Sequence, residues 1–189
     1  MTNYIPYNTV KKIWKEMPRD YAEILIKETL DEEDVEELMK GVIAEEDLEL
    51  LTFFIEMGVD LNRGLNQDVP WVSEEKDSYL SIAIREDKTE VAKCLIDKGI
   101  AFKKPGDIAY MDTLYAVQCE RLDIFKYLVE HGADVNVSRR GENEINVFTF
   151  VKMHHQKEMM KYLVTIKDLF CDEKQKELEK LRLRLLLYR

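Results

Sequence analysis

The side chains most able to do chemistry in this chain are few, and their spacing argues against most of it. His154 and His155 are adjacent. As neighbours on a helix they point about 100° apart, so the two imidazoles cannot readily share one metal ion from their own helix. Ser73 and Lys76 have the S-x-x-K spacing of some nucleophilic enzymes, but Glu74, Glu75 and Asp77 surround that lysine. Those acids would raise the lysine pKa, the opposite of what a catalytic amine needs. The run Asp31 to Asp34, with Glu36 and Glu37 behind it, has the composition of a cation site. A helix start explains it better, with Asp31 as the cap and the following acids set against the positive helix end. No P-loop, G-x-G-x-x-G, H-E-x-x-H or paired C-x-x-C occurs, so the stronger short signals of nucleotide, dinucleotide and metal chemistry are missing. No catalytic residue, metal or cofactor is expected.

Composition narrows the class further. The chain has 189 residues, 46% hydrophobic and 35% charged, with seven Gly and four Pro. That is enough for one substantial core or for a stack of small units, and it favours helix over a many-turned β architecture. The formal net charge of -10 repels nucleic-acid phosphate and anionic lipid and attracts basic partners over long range. Cys94, Cys119 and Cys171 are odd in number, lack C-x-x-C spacing and are expected as buried thiols in a reducing compartment. Met1 to Thr9 does not have the build of a signal peptide, and the apolar stretch Leu183 to Tyr188 is far shorter than the ~20 residues of a membrane span. A soluble cytoplasmic protein is the expectation.

The elements that carry these residues repeat. Gly132-Ala133-Asp134-Val135-Asn136 closes an amphipathic run from Leu122, Gly58-Val59-Asp60-Leu61-Asn62 closes one from Leu48, and Gly99-Ile100-Ala101-Phe102 closes one from Thr89. Leu122, Ile124, Phe125, Leu128 and Val129 fall at helical spacing, as do Val91, Ala92, Cys94, Leu95 and Ile96. Each helix is expected to stop at its Gly, which adopts the left-handed geometry of a helix end. A fourth helix, Met159 to Thr165, lacks that Gly, and a shorter helix precedes each long one: Leu38 to Ala44, Tyr79 to Arg85, Thr113 to Cys119 and Val147 to Met153. Leu95, Leu128 and Leu163 hold equivalent core positions.

These residues resemble the ankyrin repeat, in which a short helix begins T-P-L-H-x-A and a longer one ends G-A-D-V-N. The third copy carries that ending verbatim. Ser78-Tyr79-Leu80-Ser81-Ile82-Ala83 and Asn146-Val147-Phe148-Thr149-Phe150-Val151 match the helix start best, ahead of Met111-Asp112-Thr113-Leu114-Tyr115-Ala116 and Glu37-Leu38-Met39-Lys40-Gly41-Val42. No copy keeps the Pro or the His of that start. In the third, Met111 stands where a cap is expected and Asp112 beside it can serve. The starts lie 41, 33 and 35 residues apart, against a family period of about 33. The first spacing implies an insertion of about eight residues in the loop 63–77, which contains Trp71, either tucked against neighbouring loops or displayed as an anchor for a partner.

The resemblance implies an all-α, ankyrin-type helical repeat solenoid with capping helices at both ends. Residues 1–34 form an N-terminal helical cap, 35–165 about four repeats and 166–189 a C-terminal capping helix. In the cap, Val10, Ile13, Trp14 and Met17 share one face of a first helix that Pro18 stops, and Asp20 caps a second helix bearing Tyr21, Ile24 and Leu25. Leu178, Leu181 and Leu185 form a stripe on the last helix. In the family the loops before each short helix and the residues near its end contact a protein partner. Carried over, these are Glu74, Glu75, Asp77, Arg85 and Glu86; then Asp107, Ile108, Tyr110, Gln118 and Cys119; then Glu142, Asn143, Ile145, Met153 and His154. The implied function is non-catalytic protein binding. Acidity and small size favour an inhibitor or immunity-type antidote for a basic protein such as a toxin, with a cytoplasmic adaptor or scaffold as the alternative. A metal-dependent enzyme using His154 is a third class with no supporting constellation. The expected partner is a protein with a basic surface, not nucleic acid or membrane. The chain itself is expected as a monomer, with self-association through 173–189 as the alternative.

Overall fold

Apolar residues three and four apart build helix after helix along this chain, and a computed structural model describes them over residues 6–30, 32–65, 77–139 and 145–187. They fall into two units, Met1–Ile100 and Ala101–Arg189. The first holds α1 (Tyr7–Glu16), α2 (Arg19–Thr29), α3 (Glu32–Ala44), α4 (Leu48–Glu56), α5 (Tyr79–Arg85) and α6 (Thr89–Asp97). The second holds α7 (Asp112–Gln118), α8 (Leu122–Glu130), the strands β1 (Ser138–Arg139) and β2 (Ile145–Asn146), α9 (Val147–Met153), α10 (Lys157–Thr165), a 3-10 turn (Lys167–Leu169) and α11 (Asp172–Leu187).

Within the first unit α3 packs on α4 and α5, and α6 packs on both α4 and α5. Short helix lies on short helix and long on long, the arrangement of stacked repeats. The second unit does the same with α7 on α8 and α9, then α9 on α10 and α10 on α11. Leu50, Leu51 and Phe54 of α4, Leu95 of α6, Leu128 of α8 and Leu163 of α10 are wholly buried, so the long helices bury the stripe that their periodicity marks.

The helix ends explain the repeated glycines. After α8 the Gly132 amide donates to the Val129 carbonyl at 3.0 Å and the Ala133 amide to the Leu128 carbonyl at 2.9 Å. This is the paired bonding of a Schellman end, and it holds Gly132 at φ +91. Gly58 and Gly99, at φ +96 and +95, close α4 and α6 identically. The rest of the G-A-D-V-N segment also has work. Ala133 and Val135 are buried, the Asp134 carboxylate accepts the Asn136 amide at 2.8 Å, and the Asn136 side chain donates to the Leu169 carbonyl at 2.9 Å while accepting from the Cys171 amide. That side chain fastens the third repeat to the turn that leads into α11.

The short helices end in the same bonding without glycine. Glu46, Asp87, Glu120 and His155 occupy the left-handed position at φ +56, +58, +60 and +54, and the residue after each donates back five residues, as Arg121 does to Ala116 at 2.8 Å. A side chain there costs roughly 1–2 kcal/mol in backbone strain. Replacing Glu120 by Gly should therefore raise the unfolding free energy by about 1 kcal/mol, after the larger unfolded-state entropy of Gly is subtracted. Asp87→Gly should gain less, because Asp tolerates this conformation better. Thermal unfolding of both variants checks the order.

Several expectations need correction. The second helix buries Ala22 and Ile26, leaving Tyr21 and Ile24 exposed, and Pro18 occupies the cap position with Asp20 in the first turn. In α7 Asp112 lies inside the helix and is buried; Met111 holds the cap position with no side-chain bond. The first short helix is longer than its repeat pattern suggests, starting at Glu32. His154 and His155 lie in the turn between α9 and α10, not side by side on a helix. None of the three thiols is fully buried: Cys94 and Cys119 are half-buried, Cys171 is exposed, and all are free. Leu178 is buried in α11 as expected. Asp31, Ser73 and Lys76 lie outside the described residues, as does the Leu185 side chain.

Candidate protein-binding surface

The two best helix starts show how loops are held where the family's Pro and His are missing. Ser78 accepts the Ser81 amide at 2.9 Å, and the Ser81 hydroxyl accepts the Ser78 amide at 3.0 Å. Asn146 and Thr149 make the same reciprocal pair at 3.0 and 2.9 Å. Each is a capping box whose second member occupies the position of the family's His. Thr113, one residue before the equivalent position in α7, has a buried hydroxyl with no hydrogen-bond partner among the described residues.

In the first unit the loop before α5 closes where the Leu65 amide donates to the Asp77 carbonyl at 2.9 Å. Asp77 is half-buried and its carboxylate lies 3.5 Å from the Arg85 guanidinium, which also meets Glu86 at 3.5 Å. Three of the carried-over contact residues thus form one charged cluster. Tyr79 to Ile84 are all buried, and exposure begins abruptly at Arg85, Glu86 and Asp87. Burial, with help from the Glu36 carboxylate, pushes the Tyr79 hydroxyl up to about 12.

In the second unit the loop before α7 is tied by Asp107, whose carboxylate accepts the Lys103 and Lys104 amides at 2.9 and 3.1 Å. The Ala109 amide donates to the Ala101 carbonyl across its base at 2.9 Å. Tyr110 donates its hydroxyl to Asp134 at 2.7 Å, joining this loop to the next, and burial together with that carboxylate raises its pKa to about 12. Ile108 in this loop, and Gln118 and Cys119 at the end of α7, are half-buried. The β1–β2 hairpin pairs Ser138 with Asn146 and Arg139 with Ile145, and Ile145 is half-buried. At the end of α9 the exposure is largest. Met153 is 65% exposed, and the exposed His154 ring stacks on Phe150 at 4.1 Å between centroids and 23° between planes.

The geometry therefore separates the expected contact residues into four groups, of which Ile108, Gln118, Cys119 and Ile145 are the half-buried one. Arg85, Glu86, Met153 and His154 present their side chains to solvent, while Asp107 holds its own loop, the Asp77 carbonyl closes the loop before α5 and Tyr110 ties its loop to the next through Asp134. Trp71, Glu74, Glu75, Glu142 and Asn143 lie outside the described residues. Phe150 had no mark of its own in the sequence; only its spacing of four from His154 hints at the stack. Among the described residues, no three His, Cys, Asp or Glu side chains cluster as a metal site would require. No helix among them is long and apolar enough to cross a membrane.

Comparison with known proteins agrees with this architecture. The family model of ankyrin repeats, in three copies, matches residues 38–139. A protein of Borreliella burgdorferi described as an ankyrin repeat protein is 36% identical over 61 residues, which is 32% of this chain and 28% of that protein. The chain thus aligns with little more than a quarter of that relative's length. No solved structure matches. Since the family model spans more than half of the chain and falls on the helix pairs α3–α4, α5–α6 and α7–α8, this protein belongs to the ankyrin-repeat family, whose repeats form a protein-interaction domain.

Proposed function

We propose that this chain works by holding another protein, without catalysis of its own, and that the partner presents a basic surface. An inhibitor or antidote for a basic protein such as a toxin, acting in the cytoplasm, fits this reading. The observation that carries it is the acidic edge of the first unit. Its short helices α3 and α5 pack side by side and end in the exposed acids Glu45, Glu46, Glu86 and Asp87. On a chain of net charge -10, such an edge steers a cationic protein into contact. Three cations stand among these acids: Arg85, held by Asp77 and Glu86, Lys88, and Lys11, which lies 3.8 Å from Glu45.

An adaptor or scaffold is the second reading, and Met153 favours it. A large exposed apolar side chain beside the Phe150–His154 stack suits an uncharged contact.

Association kinetics distinguish the two once a partner has been captured from native extract and identified by mass spectrometry. On the basic-partner reading, raising salt slows association more than it speeds dissociation. Asp77→Lys and Glu86→Lys together should cut the association rate several-fold, and Glu86→Lys alone, at the more exposed of the two pairs, should slow association with stability changing by no more than the ~1 kcal/mol of an exposed ion pair. Indifference to salt and to both reversals, with loss of binding on Met153→Ser, would overturn it in favour of the adaptor.

A further inference from the structure

The short helix α7 is built less securely than its counterparts α5 and α9. Those two each open with a reciprocal pair of bonds, Ser78 with Ser81 and Asn146 with Thr149. α7 has no side-chain cap: Met111 stands at the cap position in helical geometry, at φ -74 and ψ -12, and bonds no amide. Two residues on, Thr113 is wholly buried, and its hydroxyl has no hydrogen-bond partner among the described residues. A second such atom lies at the far end of the helix. Gln156 donates its side-chain amide to the Val117 carbonyl at 2.9 Å, while its buried Oε1 has no partner among the described residues. The turn that follows does not set α7 apart, since Asp87 and His155 close α5 and α9 in the same left-handed conformation as Glu120.

A buried hydroxyl without a partner has given up its bonds to water for nothing, and it regains them when the helix opens. The Gln156 oxygen is in the same position. Opening is therefore favoured at α7 by two desolvated groups and opposed there by fewer capping bonds than at α5 or α9. Its neighbours are better secured, because α8 ends in paired bonding at Gly132 and α9 keeps its capping box. We propose that α7 opens locally, unfolding and re-forming while α8 and α9, which pack on it, stay folded. Such openings occupy the low end of a protein's range of local stability. This one reaches the contact surface, since Gln118 and Cys119 sit at the end of α7. A partner of any charge that grips both in the closed arrangement draws the helix shut by its preference for that state.

Amide hydrogen exchange of the full chain, read residue by residue by NMR, tests it. The Glu86, Cys119 and His154 amides hold the same position after α5, α7 and α9, and each donates four residues back, at 3.0, 2.9 and 3.0 Å. Bond length alone would give them equal protection. With local opening of α7, Cys119 should be roughly tenfold less protected than the other two, once the intrinsic exchange rates of the sequence are divided out. Thr113→Val keeps the side-chain shape and removes the hydroxyl. It should slow exchange at Cys119 by about tenfold and leave Glu86 and His154 as they were. Protection of Cys119 equal to that of Glu86 and His154 in the parent chain overturns the proposal, and that comparison needs no variant. So does a folded Thr113→Val chain in which Cys119 exchanges as before. Equal slowing of all three amides would make the opening global and overturn it as well.

Discussion

Truncating Leu128 to Ala should lower the unfolding free energy by about 2–5 kcal/mol, the largest single effect expected here. Leu128 has no exposed surface, and its carbonyl accepts the Ala133 amide that closes α8. Its side chain lies in the layer that α8 shares with α7. Removing it costs the transfer energy of the lost methyl groups and the cavity left behind. Backbone bonding should survive, since Ala favours helix. Unfolding in denaturant, followed by circular dichroism, gives the value. A change below about 0.5 kcal/mol, the range of exposed substitutions, would mean that this side chain does not sit in the core.

Gly132→Val should cost about 1–3 kcal/mol, and the cause should be backbone strain alone. Gly132 sits at φ +91, and a Cβ added there would meet nothing nearer than the Lys103 side chain at 3.9 Å. The added Cβ itself meets no clash among the described residues, so Gly132→Ala isolates the strain. The series Asn, Ala, Val should therefore lose stability in that order, because Asn visits the left-handed region most readily and a β-branched residue least. If Val matched Gly in thermal stability, the helix end would be tolerating a conformation that its side chain should exclude.

Much of this was legible in the residues, for reasons that differ from element to element. The long helices α4, α6, α8 and α10 announce themselves because each buries a single stripe, so the periodicity of Leu50, Leu95, Leu128 and Leu163 has one solution. The glycines at 58, 99 and 132 mark their ends because few other residues hold φ above zero cheaply. Glu46, Asp87, Glu120 and His155 take the same conformation unannounced. Glutamate has no leaning towards it, and Asp87 and His155 only tolerate it better than most residues; the bonds of the turn impose it.

At the site, sequence resemblance marked positions but not what occupies their bonding capacity. Asp77, Asp107 and Glu86 read alike as acids on loops. Folding sets Asp77 and Glu86 against Arg85 and turns Asp107 on its own loop amides, since a carboxylate near backbone donors binds them before any partner arrives. The His of the ankyrin start is absent, yet Ser81 and Thr149 complete capping boxes in its place, a substitution of one local bond for another that family pattern alone does not reveal.

By itself, then, the order of residues determined that helices would pair, where the long ones would stop and which leucines would be inside, because these follow from local periodicity and from the conformational freedom of glycine. Which stripe of α2 lies inward did not follow. Tyr21, Ile24 and Leu25 compete with Ala22 and Ile26 within eleven residues, and each stripe is apolar. Only the approach of Trp14 under Arg19 and the packing of α1 on α2 and α3 chose between them, because burial is a property of what stands opposite a residue, and the chain brings those neighbours from elsewhere in its length.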